Sequence, residues 1–96
     1  MLARVSTATA KPGKLDEIIK VMRDSVLPAT KKQKGFKGLF LLTDPKTGKG
    51  ITITLWNTET DMTASLGPAR ELAAKMLPLV AGSPSPAETY EVSVRG

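Results

Sequence analysis

The chain predicts an α+β fold in which one antiparallel sheet carries two helices on one face, in the order β-α-β-β-α-β. Three observations point to it. Apolar residues switch from alternation to helical spacing and back, twice along the chain. The turn Asp44-Pro45-Lys46-Thr47-Gly48-Lys49-Gly50 joins the two most apolar segments as a hairpin. Those segments, Phe36 to Leu42 and Ile51 to Trp56, are apolar on both of their sides.

Leu2 to Ala10 is rich in Ala, Val, Ser and Thr without a breaker and reads as the first strand, stopped by Lys11-Pro12-Gly13. From Lys14 the period changes. Leu15, Ile18, Ile19, Met22 and Val26 recur at helical spacing, with Asp16, Glu17, Lys20, Arg23 and Asp24 on the other side. Acidic residues lead and basic ones trail, as the helix dipole prefers. Pro28 is expected to kink or shift the last turns, and Gly35 to end the segment. In the hairpin, Asp44-Pro45 supplies a fixed φ and Gly48 and Gly50 a permissive one. After Trp56, Thr58 or Thr60 caps a second helix. Its apolar stripe begins at Met62 and Leu66 and continues through Leu72, Met76 and Val80. Gly67-Pro68 interrupts it, with Pro68 as the first residue of a restarted segment. Ala81-Gly82-Ser83-Pro84-Ser85-Pro86 reads as an irregular loop, and Thr89 to Val94 alternates as a fourth strand. This order is the split βαβ, ferredoxin-like plan. Right-handed crossovers put both helices on the same face of the four-stranded sheet and leave the other bare.

Bulk properties narrow the function classes. Ninety-six residues fit one domain, residues 1–96. The longest apolar run, Leu39 to Leu42, is far short of a membrane span. The start, Met1 to Val5, has no apolar h-region, so a cytoplasmic location is expected. The chain has no cysteine, which removes disulfides, thiolate metal sites and a thiol nucleophile. It also has no histidine, and with it go the commonest general base, metal ligand and proximal haem ligand. No metal-loop spacing appears among its nine carboxylates. The net charge of +5 comes partly from Lys31, Lys32, Lys34 and Lys37. These sit where cations complement a helix C-terminus. Without interleaved aromatics or a nucleic-acid motif, no nucleic-acid partner is expected.

The bare face has an energetic consequence. Burying a large apolar side chain is worth roughly 1.5–3 kcal/mol, so leaving three or four wet would forfeit much of a small domain's roughly 5–15 kcal/mol. A second copy of the chain is therefore expected to cover it. Ile51, Ile53 and Leu55 suit the helix-covered side, which puts Thr52, Thr54 and Trp56 on the helix-free side with Arg4, Ser6 and Ala8. Tyr90, Val92 and Val94 would then face the helices, and Glu91 and Ser93 the free side. The first hairpin strand stays ambiguous. Trp56 suits either an interface anchor or a pocket wall.

Gly35-Phe36-Lys37-Gly38-Leu39-Phe40, followed after the turn by Ile53-Thr54-Leu55-Trp56-Asn57-Thr58-Glu59-Thr60, resembles the signature of antibiotic-biosynthesis-monooxygenase domains of the dimeric α+β barrel superfamily. The resemblance implies a homodimer whose sheets pack face to face, joined through the helix-free side. It also implies a pocket lined by strand residues, for which Ser6, Thr52, Thr54, Trp56, Leu39 and Leu41 are the candidates. Relatives in this family oxygenate quinols or polycyclic aromatics with O₂ and no added cofactor, while others bind and degrade haem. The haem motif takes an Asn on the first strand, a Trp ending the third and a His on the second helix. Here Ser6 stands at the first position, Trp56 matches the second and nothing supplies the third. The resemblance therefore implies cofactor-independent oxygenation of a small aromatic, quinol or polyketide-like substrate, with no cofactor. In that reaction Trp56 would pack against the substrate, Arg4 would stabilise a phenolate, and Glu91 or a water would act as base. Quinol-oxidising relatives often carry an Asn on the third strand, where this chain has Thr52 and Thr54. The alternative is a non-catalytic dimeric ligand-binding or assembly module of the same fold.

Overall fold

Alanine, valine and threonine suit a pleated, half-buried surface, and Leu2–Ala10 forms strand β1. The computed structural model describes residues 1–82 and 85–96. Helix α1, Leu15–Val21, opens with Asp16 and Glu17 and carries Lys20 in its last turn. It runs directly into a π-helical segment, Met22–Val26, and then α2, Leu27–Lys31. The disturbance expected at Pro28 takes this form. Its ring crowds the carbonyl of Asp24, four residues back, and the helix widens so that Leu27 N–H donates to the Met22 carbonyl.

Strands β2, Phe36–Asp44, and β3, Lys49–Trp56, make the hairpin. Gly48 adopts φ 76° and donates its N–H to the Asp44 carbonyl at 2.8 Å, a conformation that favours glycine. Thr58 caps α3, Glu59–Ala64, its Oγ1 accepting from Asp61 N–H at 3.1 Å. Helix α4, Leu66–Met76, holds Pro68 in its first turn, where a missing N–H costs no helical bond. A 3₁₀ turn, Leu77–Leu79, leads to β4, Val80–Ala81, and β5, Glu88–Glu91, follows.

The sheet runs β2-β3-β1, and both β4 and β5 lie antiparallel on the far side of β1. The expected fourth strand is thus two short ones. Val80 pairs with Ala10 and Glu91 with Leu2, so the chain between Ala81 and Glu88 is longer than the part of β1 it passes. Ser85 N–H donates to the Thr7 carbonyl at 3.2 Å, whereas Pro86 has no N–H to give to the ladder. Ser83 and Pro84 of the expected loop lie outside the described residues. The ladder stops at Glu91, short of the expected Val94.

The two faces are the reverse of the sequence expectation. Arg4 pairs with Thr54, and Thr54 with Leu39; Ser6 pairs with Thr52, and Thr52 with Leu41. Leu39 and Leu41 pack against the Ile18, Met22 and Val26 face of the helices, so this polar-and-leucine set is the helix-covered one. Val5, Ile53 and Phe40 pair across the strands and alternate to the helix-free side, with Ile51 and Leu42 beside them. Tyr90, expected against the helices, pairs with Ala3 on the free side. Glu91, expected on the free side, pairs with Leu2 opposite Trp56. The reason lies in α4. None of its residues is buried, so the helices leave space above the sheet, and threonines tolerate that space better than a run of isoleucines would.

The core has two parts. Ala10, Ile18, Met22, Val26 and Val80 form one buried cluster. Trp56 and Met62 are buried at the other end of the helix-covered face.

Candidate functional site

Between these two parts of the core lies a cavity of about 240 Å³. Its floor is the helix-covered sheet face, with Arg4, Ser6, Leu39, Leu41, Thr52 and Thr54 in the lining. Its roof is the apolar face of α1 and the π-helical segment on one side, and the Leu72–Met76 stripe of α4 on the other. The β1–β3 ladder decides which side chains share the floor. Direct pairing of Arg4 with Thr54 and of Ser6 with Thr52 sets two polar pairs in consecutive rows.

Arg4 is the only charged residue in the lining among the described residues. Its Nη1 donates to Ser65 Oγ at 2.9 Å, and its Cζ lies 5.7 Å from the centre of the Trp56 ring. Stacking of this kind is worth about 0.5–2 kcal/mol. Among the described residues no carboxylate forms an ion pair with it. Burial lowers the guanidinium's pKa from its ordinary value, because removing a charge from water disfavours it; the group nevertheless stays protonated at neutral pH.

Trp56 is completely buried and lies behind this cation rather than in the lining. Its Nε1–H donates to Thr54 Oγ1 at 3.0 Å, and Phe36 meets it edge-on, with ring centres 5.8 Å apart and planes at 77°. The indole therefore holds Arg4 and Thr54 in place from beneath. Glu91 stands exposed on β5, away from the lining. The structure thus gathers Arg4, Ser6, Leu39, Leu41, Thr52 and Thr54 at one cavity, sets Trp56 one layer back and leaves Glu91 outside.

Ser65 is the site residue that the sequence did not indicate. It is 1 % exposed, lies at the junction of α3 and α4, and its Oγ donates to the Met62 carbonyl at 2.6 Å. The break at Gly67-Pro68 marks the junction, but nothing local in the sequence connects it with Arg4, 61 residues away. The described residues include no group of three or more His, Cys, Asp or Glu placed to hold a metal ion. No helix is long and apolar enough to cross a membrane.

No family model matches the chain. Two uncharacterized proteins from strains of Mycobacterium tuberculosis are each 38% identical to it over 77 residues, 77% of this chain and 33% of theirs. The chain spans about a third of the length of these curated relatives. Among solved structures, a Nitrosomonas europaea protein of unknown function superposes with a TM-score of 0.81 at 23% identity, covering 99% of this chain and 91% of that one. A protein named antibiotic biosynthesis monooxygenase gives a TM-score of 0.76 at 14% identity, covering 98% and 100%. One from Deinococcus radiodurans assigned that name gives 0.78 at 15%, covering 99% and 95%. At these identities the likeness establishes architecture, and the chain has the ferredoxin-like α+β fold of the antibiotic-biosynthesis-monooxygenase proteins.

Proposed function

We propose that this chain is a single-domain, cofactor-independent monooxygenase that oxygenates a small aromatic or quinol substrate with O₂ in the cavity beneath α4. One observation carries the reading: a largely apolar cavity between sheet and helices contains a single cation, Arg4, mounted on a buried indole. Ligand cavities combine an apolar wall with a few fixed polar groups. The volume, about 240 Å³, lies just below the ~300–1,000 Å³ usual for drug-sized ligands, which favours one or two rings over a polycycle.

The chemistry asks little of the protein. An ionised, electron-rich ring passes one electron to O₂, and the radical pair joins in a C–O bond. The resulting hydroperoxide loses water, so that a ring CH₂ and O₂ become C=O and H₂O. Arg4 stabilises the oxyanion of the ionised ring, the threonines orient it, and the apolar roof keeps water away. The placement of Glu91 outside the lining removes it as the base in this reading.

The reading includes a cytoplasmic homodimer. Phe40, Leu42 and Tyr90 on the helix-free face are 53%, 50% and 52% exposed, beside Val5, Ile51 and Ile53. The Val5, Ile53 and Phe40 row at the centre of that face carries no charge, with Glu88 at the β5 edge beside Val5 and Tyr90, and an uncharged apolar row is complementary to itself about a twofold axis.

The test is O₂ uptake with a panel of one- and two-ring quinols, compared with anaerobic controls, for the wild type, Arg4→Gln and Trp56→Ala. Uptake well above buffer that falls in both variants supports the oxygenase. Uptake no faster than buffer across the panel leaves a non-catalytic ligand-binding module. One observation favours that second reading: among the described residues no side chain in the lining can accept a proton at neutral pH.

A further inference from the structure

We propose that the cavity selects ring compounds that arrive already ionised, with Arg4 and Thr54 holding the anionic oxygen and Ser65 as the residue that positions Arg4. This inference rests on the cavity being the ligand site. Its first support is the state of Arg4. A guanidinium has five N–H donors, and the hydrogen bond found for this one is to Ser65 Oγ. A partly buried cation without a carboxylate partner is unfavourable until an anion joins it, and among the described residues the rest of the lining is uncharged: hydroxyls, the Gln33 amide and apolar side chains.

The second support is how the hydroxyls are committed. Ser65 spends its proton on the Met62 carbonyl, so toward Arg4 its oxygen can only accept. Such an acceptor fixes one edge of the guanidinium and leaves the other free. Thr54 is committed the opposite way. Its Oγ1 accepts from Trp56 Nε1–H, which leaves its own proton to be donated. Arg4 and Thr54 pair directly across β1 and β3, so two donors of complementary reach lie side by side on the cavity floor. Donor pairs of this kind fit a carboxylate or a phenolate.

The third support is what the lining lacks. Among the described residues it holds no Asp, Glu, His, Cys, Tyr or Lys. A neutral phenol has no group there to take its proton. The charge must therefore enter with the ligand, which points to aromatic carboxylates, acidic phenols and enolised 1,3-dicarbonyls, and to quinols as the monoanion already formed in solution.

The test is calorimetric binding at neutral pH of benzoate and 2-naphthoate, with benzamide and 2-naphthamide as neutral counterparts. The acids are expected to bind at least about tenfold more tightly than the amides, a difference of about 1.4 kcal/mol. Arg4→Gln should bring that ratio close to one, acid affinity falling far more than amide affinity, while Arg4→Lys keeps part of it. Ser65→Ala should lower the acid-to-amide ratio, acid affinity falling more than amide affinity, a shift that general loosening of the fold would not produce. Acid affinity should stay level between neutral and mildly alkaline pH, because no lining group titrates there. Amides binding as tightly as acids would overturn the anion inference and leave the cavity reading intact. An unchanged ratio in Ser65→Ala would overturn the positioning role. Failure of every probe, acid and amide alike, would overturn the cavity reading and this inference together.

Discussion

Replacing Phe40 with lysine should separate the proposed homodimer into folded single chains. Phe40 lies on the helix-free face, paired with Ile53, and is 53% exposed in the single chain. Complete burial of such a side chain is worth about 1.5–3 kcal/mol, so about 1 kcal/mol of burial remains for a partner to supply. In a twofold dimer each contact occurs twice, giving about 2 kcal/mol lost from burial. Withdrawing two ammonium groups from water adds a cost of about the same size. The dimer should weaken by at least about 100-fold, since each 1.4 kcal/mol is a factor of ten. Sedimentation velocity across a concentration series would measure it, with circular dichroism to confirm that the variant is folded. A wild type that stays monomeric throughout, or a Phe40→Lys protein that sediments like the wild type, would refute the reasoning.

Three further outcomes follow from particular contacts. Trp56→Ala should cost about 3–5 kcal/mol, because the indole is fully buried and hydrogen-bonded to Thr54; urea unfolding followed by far-UV circular dichroism measures it, and a loss under 1 kcal/mol would contradict its central place. Gly35→Ala should destabilise by about 2–4 kcal/mol, because Gly35 sits at φ 80° and a Cβ there would overlap the Asp61 carboxylate. Asp61→Ala in the same chain should restore part of the melting temperature, leaving the φ cost and the 2.6 Å approach of the Cβ at position 61. Tyr90, the single tyrosine, donates its hydroxyl hydrogen bond to Glu88, which raises its pKa above the ordinary value. The bond holds the protonated phenol, so the stabilisation is present below the unfolded pKa and disappears as pH rises through the higher folded one. Ultraviolet titration should place its midpoint above that of free tyrosine, and Glu88→Ala, which removes both the acceptor and the charge, should return it.

Element order was legible because each element carries its own period. The Leu15–Val26 stripe, the Gly48 turn and the Thr58 cap all act over a few residues, and each appears where local chemistry places it. The face assignment was not legible. Burial arguments send the apolar side of the second hairpin strand, Ile51-Ile53-Leu55, to the inside of a single chain. That rule fails when the space under the helices holds a cavity with a cation, because threonine and arginine then belong inside. Residues assigned to one face nevertheless stayed together, since alternation is insensitive to which way the face points. Arg4, Ser6, Thr52 and Thr54 therefore share one floor as grouped, beneath the helices instead of away from them. Trp56 was harder to place because the sequence shows its size and not its depth. Its hydrogen bond to Thr54 turns the indole inward, behind the lining. Ser65 gave no signal, as its role depends on a contact across most of the chain.

The space between the sheet and the helices is the proposed seat of a small molecule. Ser6→Leu tests it most directly, because Ser6 lies on the cavity floor beside Arg4 and an isobutyl group there fills the void without touching the guanidinium's partner Ser65. The variant should fold, with a melting temperature equal to or above the wild type's, and should lose at least about tenfold in calorimetric affinity for 2-naphthoate and 2-naphthamide alike. Undiminished binding of both by the filled variant would contradict that placement of the ligand.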